Sequence, residues 1–310
     1  MTIPTTIQAT EPAADGGETA PGTAAPDLAV IIPHYNDTIR LRRCLSALAS
    51  QDLEGVEVVV VDNGSTEPLA PIAEAFPFAR FVTEAEKGAG PARNRGVEET
   101  TAPVLAFLDA DCLPADDWIA QARAAGMRQD GDLFGGRIDI FDETPPPRTG
   151  AEAFEAVFAF DWQGYIEKKG FSVTANLVTR REVFLHTGPL RNGLSEDLEW
   201  CRRATSKGWR LGAAPDLRVS HPSRSDWAAL RKKWNRMTRE AYEFEGAGSH
   251  AKWAIKALAM PASAVAHLPK VMTSSQLTGP GERARAAGTL FRLRLQRMVW
   301  MLRQAGGGTI

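Results

Sequence analysis

Asp109-Ala110-Asp111 closes an apolar run, Val104-Leu105-Ala106-Phe107-Leu108. Two carboxylates one residue apart supply hard oxygen donors, which suit Mg²⁺ or Mn²⁺ that is also held by substrate phosphates. The run itself reads as a buried strand. Open α/β sheets bind ligands just past the carboxyl ends of their central strands. The spacing therefore points to a metal–diphosphate site, although a polar strand end would use the same residues, since Asp is common in turns. Further polar groups follow strand-like runs: Pro33-His34-Tyr35-Asn36, Asp62-Asn63-Gly64-Ser65 and His221. Strand C-termini share one edge of such a sheet, so these groups should meet in one crevice.

The elements that must position them are legible. Leu28 to Ile32, Val56 to Val61, Arg80 to Val82 and Val104 to Leu108 read as strands. Between them, Thr38 to Ser50, Pro68 to Phe76 and Gly90 to Glu99 carry helical spacing, and Pro114 to Met127 follows with Trp118, Ile119 and Ala122 facing inward. This alternation predicts an α/β fold: a Rossmann-like, mostly parallel central sheet with helices on both faces. Leu133 to Phe141 reads as a strand whose Gly135-Gly136 pair marks a bulge or a close backbone approach. Phe171 to Thr179 looks extended. Glu196 to Lys207 is a helix with an acidic first turn and Gly208 beyond its end. Val219 ends a last short strand before His221.

Composition sets bounds. With 310 residues, 44% hydrophobic and net charge -2, the chain reads as an ordinary soluble protein with ample core. Cys44, Cys112 and Cys201 have no metal-ligand spacing and give no disulfide framework, which fits a reducing cytoplasm. Residues 1–26 lack Lys, Arg and an apolar core, so they read as a disordered tail and not a signal peptide. The longest apolar stretch, Ala254 to Met272, is interrupted by Lys256, Pro261, His267, Pro269 and Lys270, so it does not read as a membrane span.

Five segments in order resemble the family-2 glycosyltransferases, inverting enzymes of the GT-A fold that use nucleotide sugars. They are Val30 to Asn36, Val59 to Ser65, Lys87-Gly88 with Ala92 to Gly96, Phe107 to Asp111, and Ser195-Glu196-Asp197-Leu198-Glu199. The resemblance spans about Ala29 to His221. It implies a nucleotide-sugar donor, with UDP favoured, and a divalent metal, Mn²⁺ or Mg²⁺. Pro33, Tyr35 and Asn36 would line the base pocket, and Asp62 would accept a hydrogen bond from the base edge. Lys87 and Arg93 would act as fixed cations near base, phosphates or sugar. Asp109 and Asp111 would hold the metal on the diphosphate, with His221 completing the site. Asp197 would be the base that takes the acceptor proton, with Glu196 beside it orienting or binding the acceptor. Asn176 would contact the sugar or acceptor.

Each residue also has a plainer reading. Tyr35 can be packing, Asn36 a helix cap, Arg93 a solvated helix residue, and His221 structural. Glu196-Asp197 can be favourable charge at a helix N-terminus. Lys87-Gly88-Ala89-Gly90 contains a Gly-x-Gly but lacks the context of a dinucleotide site.

The catalytic domain is expected over 27–222, followed by a helical region over 223–310. That region carries fifteen Lys/Arg against five Asp/Glu. Trp227, Leu230, Trp234 and Met237 share one helical face, and Leu290 to Arg303 has a similar pattern. Such basic, Trp-bearing helices suit an anionic membrane surface or pack on the body or on a second copy as a homodimer. The resemblance implies a saccharide or lipid-linked acceptor and a cytoplasmic enzyme, peripheral on the inner face of the cell membrane. A nucleotidyltransferase would share an acidic metal site, but its glycine-rich phosphate loop is missing after the first strand. The basic third also suggests nucleic-acid binding, yet no binding motif accompanies it and an acidic cleft would repel a phosphate backbone.

Overall fold

The computed structural model describes residues 25–193 and 195–310, so all but the last two residues of the expected tail lie outside the described residues. Eight strands form one sheet: β1 Leu28–His34, β2 Val56–Asp62, β3 Ala79–Thr83, β4 Val104–Leu108, β5 Leu113–Pro114, β6 Leu133–Phe141, β7 Asn176–Arg180 and β8 Leu211–Pro222. Their order is β3-β2-β1-β4-β7-β6-β8-β5. The helices are α1 Thr38–Ala49, α2 Ala70–Ala75, α3 Ala89–Glu98, α4 Trp118–Met127, α5 Gly150–Phe158, α6 Trp162–Gly164, α7 Arg181–Thr187 and α8 Glu196–Ser206, then α9 Trp227–Ala241, α10 His250–Leu258, α11 Met260–Thr273 and α12 Gly279–Ala305.

Alternate residues of the central strands serve the two faces, as the two-residue strand period requires. Val30, Ile32, Ala106 and Leu108 pack with Leu41 and Leu45 of α1 and with Trp118 and Ile119 of α4. Ile31, Leu105 and Phe107 pack with Val97 of α3, Phe184 of α7 and Trp200 of α8. Strands buried on both faces read as continuous apolar runs, which is how these segments read.

The sheet is parallel over β3-β2-β1-β4. β6 and β8 also pair in parallel, so the sheet is mostly parallel as expected, with two strands running against the rest. β7 runs antiparallel between β4 and β6, and β5 runs antiparallel to β8. Strand direction leaves no mark on an apolar run, so the sequence pattern could not single out these two strands. β8 is also twelve residues long and continues through His221 to Pro222. Its pairing with β5 sets Leu113 opposite Ser220 and so brings His221 beside the Asp109–Asp111 segment.

The glycine pair in β6 does mark a close approach. A Cβ on Gly136 would stand 2.2 Å from Nδ2 of Asn176 and 2.5 Å from the Leu217 carbonyl, and one on Gly135 would stand 2.2 Å from Oγ of Ser172.

The apolar faces of α9 and α12 turn inward. Leu230 of α9 and Leu290 and Leu293 of α12 are buried with Phe154 of α5 and Val271 of α11, and Trp227 and Trp234 pack against the same cluster. Arg292 lies 4.0 Å over the Trp227 ring and Arg297 4.8 Å over Trp234. These residues pack on the body, while Leu295, Val299 and Leu302 of α12 stay exposed. α7 and α11 are helices that the sequence reading passed over. α11 starts with Pro261 in its first turn and contains Pro269, and it is held by Val271 and Ala264 in the shared core.

Candidate active site

The strand ends meet as expected. One cavity is lined by Pro33, His34, Tyr35, Asp37, Asn63, Ala89, Ala92, Arg93, Asp109, Ala110 and Asp111. Tyr35 stands at its rim, 54% exposed, with the Lys87 ammonium 5.9 Å from the ring centroid. An open aromatic face beside a cation suits a flat ring followed by phosphates.

Asp111 and His221 face each other. His221 Nδ1 donates to the Pro222 carbonyl at 2.8 Å, which directs Nε2 toward Oδ2 of Asp111, 3.4 Å away. A proton on Nε2 pairs the two directly, and without it both atoms offer lone pairs to a cation. Burial pushes the Asp111 carboxyl up, while His221 works in the opposite direction. Among the described residues no group of three or more His, Cys, Asp or Glu side chains is gathered tightly enough to bind a metal. A pair of protein ligands is the usual provision for Mg²⁺ or Mn²⁺ that also takes diphosphate oxygens. Asp111 and His221 therefore fit such an ion, with Asp109 adjacent.

Asp109 is engaged elsewhere. Arg93, only 4% exposed, donates from Nη2 to Oδ1 of Asp109 at 2.5 Å and from Nη1 to Oε1 of Glu196. Burial works against the guanidinium charge, but Asp109 and Glu196 outweigh it and raise the Arg93 pKa. Arg93 is thus a buried strut between the Asp109 segment and the first turn of α8, and not a solvated helix residue.

The strut leads to a second cavity, lined by Gly88, Ala89, Asn192, Gly193, Ser195, Glu196, Asp197, Arg236, Arg239, Glu240 and Glu243. Asp197 Oδ1 accepts from the Thr174 backbone N–H at 3.0 Å and from its hydroxyl at 2.6 Å. Burial pushes the Asp197 carboxyl up, and Arg93 and the Thr174 bonds pull against it. Burial likewise raises Glu196, opposed by Arg93. The glycines of Lys87-Gly88-Ala89-Gly90 serve packing here. A Cβ on Gly90 would meet Oε2 of Glu196 at 2.9 Å, and one on Gly88 would meet Oδ1 of Asn192 at 2.2 Å.

Two expected site residues are placed elsewhere. Asn176 is fully buried: its Nδ2 donates to the carbonyls of Arg137 and Leu217, and its Oδ1 accepts from the Trp118 indole at 2.9 Å. Both its N–H groups and one oxygen lone pair join β6, β7, β8 and α4, and with no exposed surface it is not open to a sugar or acceptor. Asn36, at φ 48°, uses Oδ1 to accept from Thr66 and Glu67, pinning the loop after β2. It does not line the cavity, and Asp37 caps α1. Asp62 accepts from the Ser65 N–H and lies 3.3 Å from His34 Nδ1, just behind the lining residues.

Sequence reasoning placed Asn63 at the crevice without giving it a role, and it missed the α9 residues. Asn63 lines the first cavity, donates to the Glu84 and Glu86 carbonyls and accepts from Gly88 N–H, so it holds the Lys87 loop in place. Arg236, Arg239, Glu240 and Glu243 were read only as part of a basic helix.

The family model for glycosyl transferase family 2 matches residues 29–188, a little over half the chain. The chain belongs to glycosyltransferase family 2. This family-2 enzyme is 33% identical over 218 residues to the glycosyltransferase AglE of Haloferax volcanii, covering 67% of this chain and 71% of that one. It is 27% identical over 228 residues to the pre-mycofactocin glycosyltransferase of Mycobacterium tuberculosis, covering 68% of this chain but 46% of the relative. Its fold resembles that of the mannosyltransferase PcManGT from Pyrobaculum calidifontis, solved with GDP-Man and Mn²⁺, at a TM-score of 0.53 and 18% identity over 96% of this chain and 80% of the other. The fold is therefore GT-A, with helices added at the C-terminus, and the protein is a glycosyltransferase. Neither the nucleotidyltransferase nor the nucleic-acid reading is favoured.

Proposed function

We propose that the chain transfers a sugar from a UDP-sugar to an acceptor hydroxyl with inversion, assisted by Mn²⁺ or Mg²⁺. The observation that carries this reading is the Asp109–Arg93–Glu196 strut, which couples a diphosphate-sized cavity to a second cavity holding Asp197. Tyr35 and Pro33 flank the base, and Asp62, a carboxylate with lone pairs to spare, accepts from the uracil edge. Lys87 and the N-terminal turn of α3 face the phosphates. Asp111 and His221, with Asp109 beside them, hold the metal, which when bound neutralises charge on the leaving diphosphate. Asp197 takes the proton from the acceptor hydroxyl. Attack from the side away from the diphosphate inverts the anomeric centre.

In this reading 27–222 holds the donor, and α9 of 223–310 supplies one wall for a saccharide or lipid-linked acceptor. The three cysteines are free and buried, which suits the cytoplasm. Calorimetric titration with UDP, GDP and CDP, with and without Mn²⁺, tests the donor side. The expected result is Mn²⁺-dependent UDP binding that Asp111→Ala abolishes. Preference for GDP or CDP overturns the donor assignment, and metal-independent binding overturns the metal.

A further inference from the structure

α10 and α11 are separated by one residue, Ala259, whose backbone is itself right-handed helical. The two therefore run nearly as one rod. At about 100° per residue the exposed apolar side chains Ile255, Leu258, Ala262, Val265, Ala266, Pro269 and Met272 fall within an arc of roughly 120°. Ile255 is 69% exposed, Leu258 63%, Val265 60% and Met272 53%. The opposite side of the rod is buried: Trp253 and Ala257 pack with Met301 of α12, and Ala264 and Val271 with Leu290. All three lysines, Lys252, Lys256 and Lys270, fall together in a narrow arc along one flank of the apolar stripe. Residues 247–281 contain no Asp or Glu. The nearest opposing carboxylate is Glu245, which pairs with Lys256.

Soluble surfaces rarely expose an apolar stripe of this length, and no described helix is long and apolar enough to cross a membrane. An apolar stripe with lysines on one flank is the pattern of a helix lying in the plane of an anionic lipid surface. We propose that the α10–α11 rod docks the protein on an anionic bilayer, with Ile255, Leu258, Val265 and Met272 entering the acyl boundary and Lys252 and Lys270 meeting headgroups. The lipid-facing surface is thus the rod that lies between α9 and α12 in the chain, and α12 adds a shorter exposed apolar stripe, Leu295, Val299 and Leu302. The lysine row complements the negative charge of the lipid, whereas a second copy of this stripe would bring the same lysines and no carboxylate from residues 247–281.

The test is flotation of the full-length protein with phosphatidylcholine vesicles that contain or lack phosphatidylglycerol, at low and high salt. Binding is expected only with the anionic lipid and should weaken with salt. Ile255→Glu/Val265→Glu should abolish it. Lys252→Gln/Lys270→Gln should lower partitioning about 30-fold, from ~1 kcal/mol per lysine near an anionic surface. Both pairs are exposed, and unchanged thermal melting confirms their folding. Failure to bind anionic vesicles overturns the proposal. So does a wild-type dimer that Ile255→Glu/Val265→Glu converts to monomer, which would assign the stripe to a second copy.

Discussion

Asp197 combines a positioning contact with a perturbed charge. Its Oδ1 is fixed by two bonds from Thr174, and burial pushes its carboxyl up. A base must be ionised, so activity should fall on the acid side at a pH above the ordinary aspartate value of about 3.9. Thr174→Val removes the hydroxyl bond that favours the carboxylate. Its kcat/KM profile should shift its acid limb further up in pH, with nucleotide affinity unchanged. Asp197→Asn should lose about 10²–10⁴-fold in turnover. A folded-state pKa above the unfolded one means that the charged form opposes folding at neutral pH. The Asn variant should therefore melt higher than wild type near pH 7, and the gap should close as pH falls below about 3.9. Equal melting at both pH values would remove the strain assigned to this carboxyl.

At the scale of elements, the site depends on how closely β6, β7 and β8 approach. Gly136 leaves room for the Asn176 amide, which ties the three strands to Trp118 of α4. Gly136→Ala would force a methyl against that amide and the Leu217 carbonyl. Overpacking of this kind costs about 1–3 kcal/mol, and urea unfolding should show at least that loss. The glycine pair announced a close approach in the sequence, and the structure names its partners. Asn176 shows the opposite case. A polar residue following a strand-like run looks the same whether it faces a ligand or a buried carbonyl, because burial is decided by strands far away in the chain.

For the molecule as a whole, Glu155 anchors the C-terminal helices to the catalytic sheet. It is 1% exposed and pairs with Arg224 beyond β8 at 3.1 Å and Lys233 of α9 at 2.8 Å. It also accepts from the Arg224 N–H. Burial alone would raise its pKa, but the two cations outweigh it and hold the carboxyl below its usual range. This contribution is present at neutral pH and disappears as pH falls through the lowered value. Glu155→Ala should cost about 3–5 kcal/mol, because two cations are left without their partner, measured as a drop in urea midpoint near pH 7 that narrows in acid. α9 also closes the cavity holding Asp197, so the same variant should weaken acceptor use more than nucleotide binding.

The sequence by itself determined the apolar strands, the helical periods between them, and the polar groups at the strand ends and at the start of α8. Those signals are local: a strand's period, a cap or a pair of aspartates is written within a few residues. Tertiary structure alone decided the antiparallel turn at β7, the internal use of Asn176 and Asn36, and the Arg93 strut between Asp109 and Glu196. It also decided which faces of the C-terminal helices were buried and which, across α10–α11 and at Leu295, Val299 and Leu302 of α12, stayed open. Each of these depends on where a side chain finds its partner, and those partners lie tens to more than a hundred residues away.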